Sequence, residues 1–373
     1  MNGPTASYEL NIPPLAQRQK IYGHLIIPIL TPGIVGGSLP LTATFVKSAQ
    51  EMYGQKGITR AKIELGLGTD LFRRREPLEE YARLFKGKVY SVHSPIAAHE
   101  WGTTLEDKLI KLVTRPPAVF IPAEYKTPAA AQQGRLTVGL AAARAVDAKL
   151  IVLHASELAY HLATHKGQER TFADIMEKII AVRDAIAPQV IICVEHQGHQ
   201  MKGVPRDLYP YVYDPLALAD ALIPWQDRDI GMTFDFQHYR INAHGGPNPS
   251  AILGQIFHRH PRIVTHVHIN RSPILHLDLH KSIADADDET WNSEMSAFLL
   301  CLAEMNYEGA ILPEVNPPGS LFRYIRLLMR RKLFHSLLRL PFAPHDYNTE
   351  LTMLTRLVDA YRDFLNIPRT ITP

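Results

Sequence analysis

The chain has 373 residues, 46% apolar and 21% charged, which is the balance of a folded globular protein and excludes disordered, collagen-like and coiled-coil chains. Forty Lys and Arg against 37 Asp and Glu leave a net charge of +3, too small for charge alone to imply a nucleic-acid partner. No apolar run reaches the roughly 18 residues of a membrane span, no signal peptide is visible in residues 1–22, and two cysteines, Cys193 and Cys301, cannot build a disulfide framework, so a cytoplasmic protein with buried thiols is expected.

Strand-like and helix-like stretches alternate along the chain. Residues 23–30 (GHLIIPIL) read as a first strand and 61–67 (AKIELGL) as a second. The helix over 76–85 that follows repeats Leu78, Tyr81, Leu84 and Phe85 at helical spacing. Residues 88–93 (KVYSVH) form a third strand, 104–113 a short helix, and 115–133 an inserted loop rich in Pro, Ala and Gln. An Ala-rich helix over 136–146 leads to the strand 149–154 (KLIVLH). Thr171 then caps a helix that runs to 186, with Asp174 in its first turn. Strands at 190–195, 230–235, 263–270 and 310–315 are separated by helices at 214–223, 250–258 and 289–305. Helices over 320–340 and about 349–366 close the chain.

Near-continuous β-branched runs between helices predict a parallel sheet covered on its faces. Eight such units closing on themselves make an α/β fold of the (β/α)8 TIM-barrel class. The chain is expected to be one domain over residues 1–373, with a barrel core at about 20–340, the inserted loop and a C-terminal helical extension. An open, doubly wound sheet competes with this reading. It would want a phosphate loop, and the nearest stretch, Gly66-Leu67-Gly68, lacks a third glycine.

The chemistry of a TIM barrel sits at the C-terminal ends of its strands. Six successive strands here reach His93, His154, Glu195, Asp235, His268 and Glu314, one βα unit apart. A single histidine or carboxylate at a strand end is ordinarily a rim or capping residue. Three carboxylates converging on one mouth need a cation to offset their repulsion, and the imidazole and carboxylate set suits Zn²⁺, Mn²⁺ or Fe²⁺. Further donors lie nearby: His238 on the loop after Asp235, and Asp278 and His280 in the extended segment after the seventh strand. His266 shares a strand face with His268 but lies deeper. Other histidines, among them His99, His161, His165, His196, His199, His244 and His276, read mostly as solvent-facing loop residues.

At these residues the sequence resembles the xylose isomerase-like TIM-barrel superfamily of sugar isomerases, sugar epimerases and endonuclease IV, over roughly residues 60–318. The superfamily quartet of Glu, Asp, His and Glu is met by Glu195, Asp235, His268 and Glu314. The endonuclease IV pattern adds His93, His154, His238, Asp278 and His280, and the resemblance implies two or three divalent cations rather than one. The surroundings depart from that pattern: His154 is followed by Ala-Ser, Glu195 by His196, and Asp235-Phe-Gln-His238 and His268-Ile-Asn-Arg271 replace the usual stretches. Similar barrels also include multinuclear iron oxidases.

Three functions follow. The first is a di- or trinuclear hydrolase of a phosphoester, small or carried on nucleic acid. The basic stretch of Arg323, Arg326, Arg330, Arg331 and Lys332 could meet phosphates but reads first as a solvated face. The second is a one-metal sugar isomerase or epimerase with Glu195 and Glu314 as the catalytic acid–base pair and Arg271, His266 and His238 as substrate contacts. The third is an iron-dependent oxidase. No membrane partner is expected.

Overall fold

The structure, a computed structural model, describes residues 25–30, 39–58, 62–66, 78–94, 128–156, 158–159, 171–198, 204–243, 246–272, 283–285, 289–315 and 347–366. Eight parallel strands form one sheet in sequence order: β1 (Ile27–Leu30), β2 (Ile63–Gly66), β3 (Val89–His93), β4 (Leu150–His154), β5 (Ile191–Glu195), β6 (Ile230–Asp235), β7 (Val264–Ile269) and β8 (Ala310–Pro313). The Ile26 N–H donates to the Ile311 carbonyl at 2.9 Å and Leu25 bridges Ile311 in parallel, so the last strand meets the first. The sheet is a closed (β/α)8 barrel, and the open-sheet alternative is excluded.

Helices alternate with the strands: α1 (Leu39–Gln55), α2 (Leu78–Phe85), α3 (Pro128–Val146), α4 (Phe172–Ile186), the single turn α5 (Pro210–Tyr213), α6 (Pro215–Leu222), α7 (Phe236–Ala243), α8 (Pro249–Arg259), α9 (Glu289–Glu304) and α10 (Tyr347–Asn366). Thr171 and Asp174 exchange side-chain and backbone bonds in a capping box at the start of α4. Gly87, at φ +76°, turns the end of α2 into β3, a conformation open to glycine without a Cβ penalty.

Three local expectations change. The N-terminal helix α1 is absent from the sequence reading because Thr42-Ala-Thr-Phe-Val46 looks extended by propensity. Tertiary packing overrides that preference: Phe45, Val46, Ala49 and Tyr53 form a buried helical stripe. The supposed loop 115–133 is helical from Pro128 onward, since proline suits a first turn and the alanines and glutamines after it are strong helix formers. Residues 236–243 are helix where a loop is expected, which moves His238 onto α7. The expected helices over 104–113 and 320–340 lie outside the described residues.

The C-terminal helix α10 packs on both α1 and α9. Its buried stripe of Leu354, Leu357, Val358 and Tyr361 recurs at helical spacing, and Phe364 reaches Trp291 at 5.8 Å between ring centroids. Between barrel and helices, Phe298 on α9 lies 5.4 Å from Phe234 and 5.1 Å from Phe236. Phe298 is fully buried, so Phe298→Ala should cost about 3–5 kcal/mol through lost burial and a residual cavity. Denaturant unfolding measures it, and a loss under about 1 kcal/mol would show that this layer collapses to fill the space.

Candidate metal centre

Side chains on a barrel strand alternate between the interior and the helical layer. The interior-facing series are Glu64 on β2, Ser91 and His93 on β3, Leu150, Val152 and His154 on β4, Cys193 and Glu195 on β5, Thr233 and Asp235 on β6, and His266 and His268 on β7. Ala310 and Leu312 on β8 continue to Glu314 just past the strand end. The lower interior is apolar: Leu150, Val152 and Cys193 cluster on one side, and Ile26, Ala310 and Leu312 on the other. Toward the C-terminal ends each series becomes polar. Apolar filling below therefore fixes the height at which the imidazoles and carboxylates emerge.

Glu195 is the hub, and it is only 1% exposed. Its Oε2 lies 3.4 Å from His93 Nε2 and 3.5 Å from His154 Nε2. Its Oε1 lies 3.3 Å from His268 Nδ1, which is itself 3.2 Å from Glu314 Oε2. Two donor sets result, His93–His154–Glu195 and Glu195–Asp235–His268–Glu314, the ligand atoms of each within 4.8 Å of one another. Ligand atoms about 2.0–2.1 Å from a tetrahedral Zn²⁺ stand about 3.3 Å from each other, close to the spacings seen here. Glu195 Oε2 and His268 Nδ1, which face the two sets, are buried and have no hydrogen-bond partner among the described residues. Buried polar atoms are normally paired, so this donor set fits a cation.

Tautomers point the same way. His93 Nδ1 donates to the Ser94 carbonyl at 3.0 Å, which leaves the Nε2 lone pair facing a carboxylate oxygen. Two lone pairs so placed need a proton or a metal between them. Burial opposes a charge on His93, yet the Glu195 carboxylate outweighs it and raises the imidazole above its ordinary value. Burial likewise opposes charge on His268, but Glu195, Glu64 and Glu314 raise it well above the usual range. Glu195 is lowered well below an ordinary carboxylate: burial works against ionisation, and His268 and His93 overcome it.

Asp235 is fully buried at the start of α7, where its Oδ1 accepts the His238 backbone N–H at 2.6 Å. The His238 ring donates from Nδ1 to the His196 carbonyl at 2.8 Å, leaving Nε2 as its basic nitrogen. Asn242 ties the same helix to the chain after β5 by donating to the Gln197 and Tyr213 carbonyls. Gly198 permits the approach, since a Cβ there would stand 2.7 Å from His238 Cδ2 and 3.1 Å from its Cα. Helix geometry therefore explains why His238 lies beside Asp235, a relation that the loop reading leaves open.

Two expectations about histidines are corrected. His196 is fully buried rather than solvent-facing; its Nε2 accepts the Asp235 N–H at 3.2 Å, and burial, aided by the neighbouring His238, pushes it down to about 3. His266, expected among the substrate contacts, is also fully buried, one step deeper on β7 than His268, and binds Glu64 at 2.8 Å. Arg271, two residues past β7, is 8% exposed. Asp278 and His280, and the basic residues 323–332, lie outside the described residues. The sequence reading missed Glu64 and Asn270. Glu64 carried a signal, a carboxylate between Ile63 and Leu65 in a buried strand, whereas Asn270, which donates to Asp235 Oδ2 at 3.3 Å, carried none.

No protein-family model matches the chain, and no curated protein does. Among solved structures the chain is similar to a D-tagatose 3-epimerase-like protein, at 14% identity over 82% of this chain and 96% of that one, with a TM-score of 0.46. It is similar to an AP endonuclease, family 2, from Brucella melitensis at 15% identity over 79% and 94%, with a TM-score of 0.46. A xylose isomerase domain protein from Planctomyces limnophilus matches at 12% identity over 83% and 97%, with a TM-score of 0.41.

The raised His93 and His268 stabilise the metal-free fold fully below the ordinary imidazole pKa of 6.5, and that contribution fades as pH rises through their raised values. The lowered Glu64 and Glu195 act in the opposite sense: their contribution is present above 4.5 and lost as pH falls through their lowered values. A cation must displace the imidazole protons, so affinity should rise with pH through neutrality, with proton release on binding. Zn²⁺ titration calorimetry in buffers of different ionisation enthalpy measures both. Affinity that is flat from about pH 6 to 8 would remove His93 and His268 from the ligand set.

Proposed function

We propose that the chain is a metal-dependent enzyme whose two cation sites would share Glu195, and that it hydrolyses a phosphoester. The observation carrying this reading is that each oxygen of one buried carboxylate faces a different donor set. His93 and His154 would hold one cation, and Asp235, His268 and Glu314 the other, with zinc, manganese or iron suited to these nitrogen and oxygen donors. His238, with Asp278 and His280, is the set that a third cation would use. Divalent cations held by these residues would supply Lewis-acid chemistry, activating water and offsetting the negative charge of a phosphate.

The remaining roles belong to the protein's own groups. Glu314 is 26% exposed and has the solvent contact needed to pass a proton at the mouth. Arg271 offers a planar fork of donors for a phosphate oxygen pair. A small phosphoester is favoured over nucleic acid by the slight net charge.

The one-metal isomerase or epimerase reading has in its favour that Glu195 and Glu314 flank one nitrogen of His268. It asks Glu195 to act as a base. Burial opposes its charge, but His268, His93 and His154 enclose Glu195 and hold it below the usual carboxylate range, which works against a base role. An iron oxidase would share the cluster and differ in metal.

Elemental analysis of anaerobically purified protein should give at least two equivalents per chain. His93→Ala with His154→Ala should lose one, and Asp235→Asn should lose or weaken another while keeping the side-chain shape. Glu195→Gln should lower cleavage of a chromogenic phosphodiester by about a hundredfold or more. One equivalent per chain with sugar epimerisation would replace this reading by the isomerase, and redox-active iron with oxygen uptake would replace it by the oxidase.

A further inference from the structure

Beneath the two donor sets lies a polar group that neither set includes. Glu64 projects into the barrel from β2 and is 4% exposed, a position in which an unpaired carboxylate is costly. Its Oε2 accepts from Ser91 Oγ at 2.6 Å and from His266 Nε2 at 2.8 Å. Its Oε1 stands 3.6 Å from His268 Nε2. The opposite nitrogen of that ring, Nδ1, faces Glu195 and Glu314 at 3.3 and 3.2 Å. The His268 imidazole thus spans two carboxylate layers, with Glu64 below and the candidate centre above.

We infer that Glu64 is a positioning residue: it fixes His268 with Nε2–H directed downward and the Nδ1 lone pair directed at the cation, while Ser91 and His266 fix Glu64. The inference rests on the proposed metal centre. A neutral imidazole has one lone pair, and a carboxylate beside one nitrogen decides that the other carries it. A carboxylate behind a ligating histidine also raises its basicity and restricts its rotation, commonly worth 10–100-fold in metal affinity. Register supplies the alignment, because Glu64 pairs with Ser91 across β2 and β3, and His266 and His268 share one face of β7. Glu64, His266 and His268 could also be read as a cation site of their own. The 2.8 Å contact between Glu64 and His266 is instead the length of a direct hydrogen bond, with the proton between the two atoms.

The test is cobalt(II) titration of the apo full-length chain, followed by visible absorption, for the wild type, Glu64→Gln and the milder Ser91→Ala. Glu64→Gln keeps an oxygen for Ser91 and His266 and removes the charge. The expected result is a 10–100-fold weaker equivalent with an altered cobalt band, the His93–His154 equivalent unchanged, and a smaller shift in the same direction for Ser91→Ala. The apo melting temperature, read in parallel, separates positioning from a purely structural role. Unchanged affinities in both variants overturn the role of Glu64 and leave the centre standing. Equal weakening of every equivalent together with a lowered apo melting temperature in both variants overturns it as well, as does loss of a separate equivalent while those of the two donor sets bind unchanged. A wild-type chain that binds no cobalt overturns this inference and the metal centre together.

Discussion

Carboxylates brought into the low-dielectric end of a barrel repel one another and lose their hydration, and this cost governs the centre of the protein. Glu64, Glu195 and Asp235 are all buried there, with Glu314 at the rim. Their neighbours include His93, His154, His238, His266 and His268, groups that can answer negative charge as imidazolium or, in the presence of a metal, as neutral ligands. Against the opposing effect of burial, the carboxylates raise His93 and His268 while the imidazoles lower Glu64 and Glu195.

The scaffold is organised to keep that arrangement rigid. Apolar residues fill the lower barrel, and the closing contact between Ile26 and Ile311 prevents the strands from splaying. Above them, polar side chains are held by backbone groups as well as by each other. Ser94 holds His93, the His196 carbonyl holds His238, and the His238 backbone N–H holds Asp235. His196 fits this layer as a neutral acceptor of the Asp235 N–H, a role that its strongly lowered pKa permits. Ligands supported in this way remain placed when charge at the centre changes.

Glu195 is common to both donor sets. A free general base would be expected to have access to substrate and a pKa near the working pH. Glu195 is almost fully buried, the imidazoles of His268 and His93 hold its carboxyl low against the opposing effect of burial, and its two oxygens face two donor sets. Glu314 differs in being partly exposed. The two glutamates, alike in sequence context as carboxylates that end apolar strands, are thereby given different surroundings.

Much of this was legible in the sequence because barrel strands announce themselves: Leu150–His154 and Ile230–Asp235 are apolar runs that end abruptly in an ionisable group. Alternation along β7 alone put His266 and His268 on one face, with His266 deeper. What the sequence could not contain was distance across the barrel. The contact of Glu64 with His266 joins residues 202 apart, and a glutamate in a strand says nothing about which strand lies opposite. Helix α1 was hidden because its β-branched residues give way to packing against α10, a partner some 300 residues later. The loop position expected for His238 and the solvent-facing position expected for His196 failed because both depend on how α7 folds back over the end of β5. The sequence by itself determined the alternation of elements and the residue types at the strand ends, since local periodicity and apolar burial act over a few residues. Tertiary structure alone decided which carboxylate is shared, which imidazole nitrogen is basic and which histidines lie beneath the mouth, because those follow from barrel closure and register across strands distant in the chain.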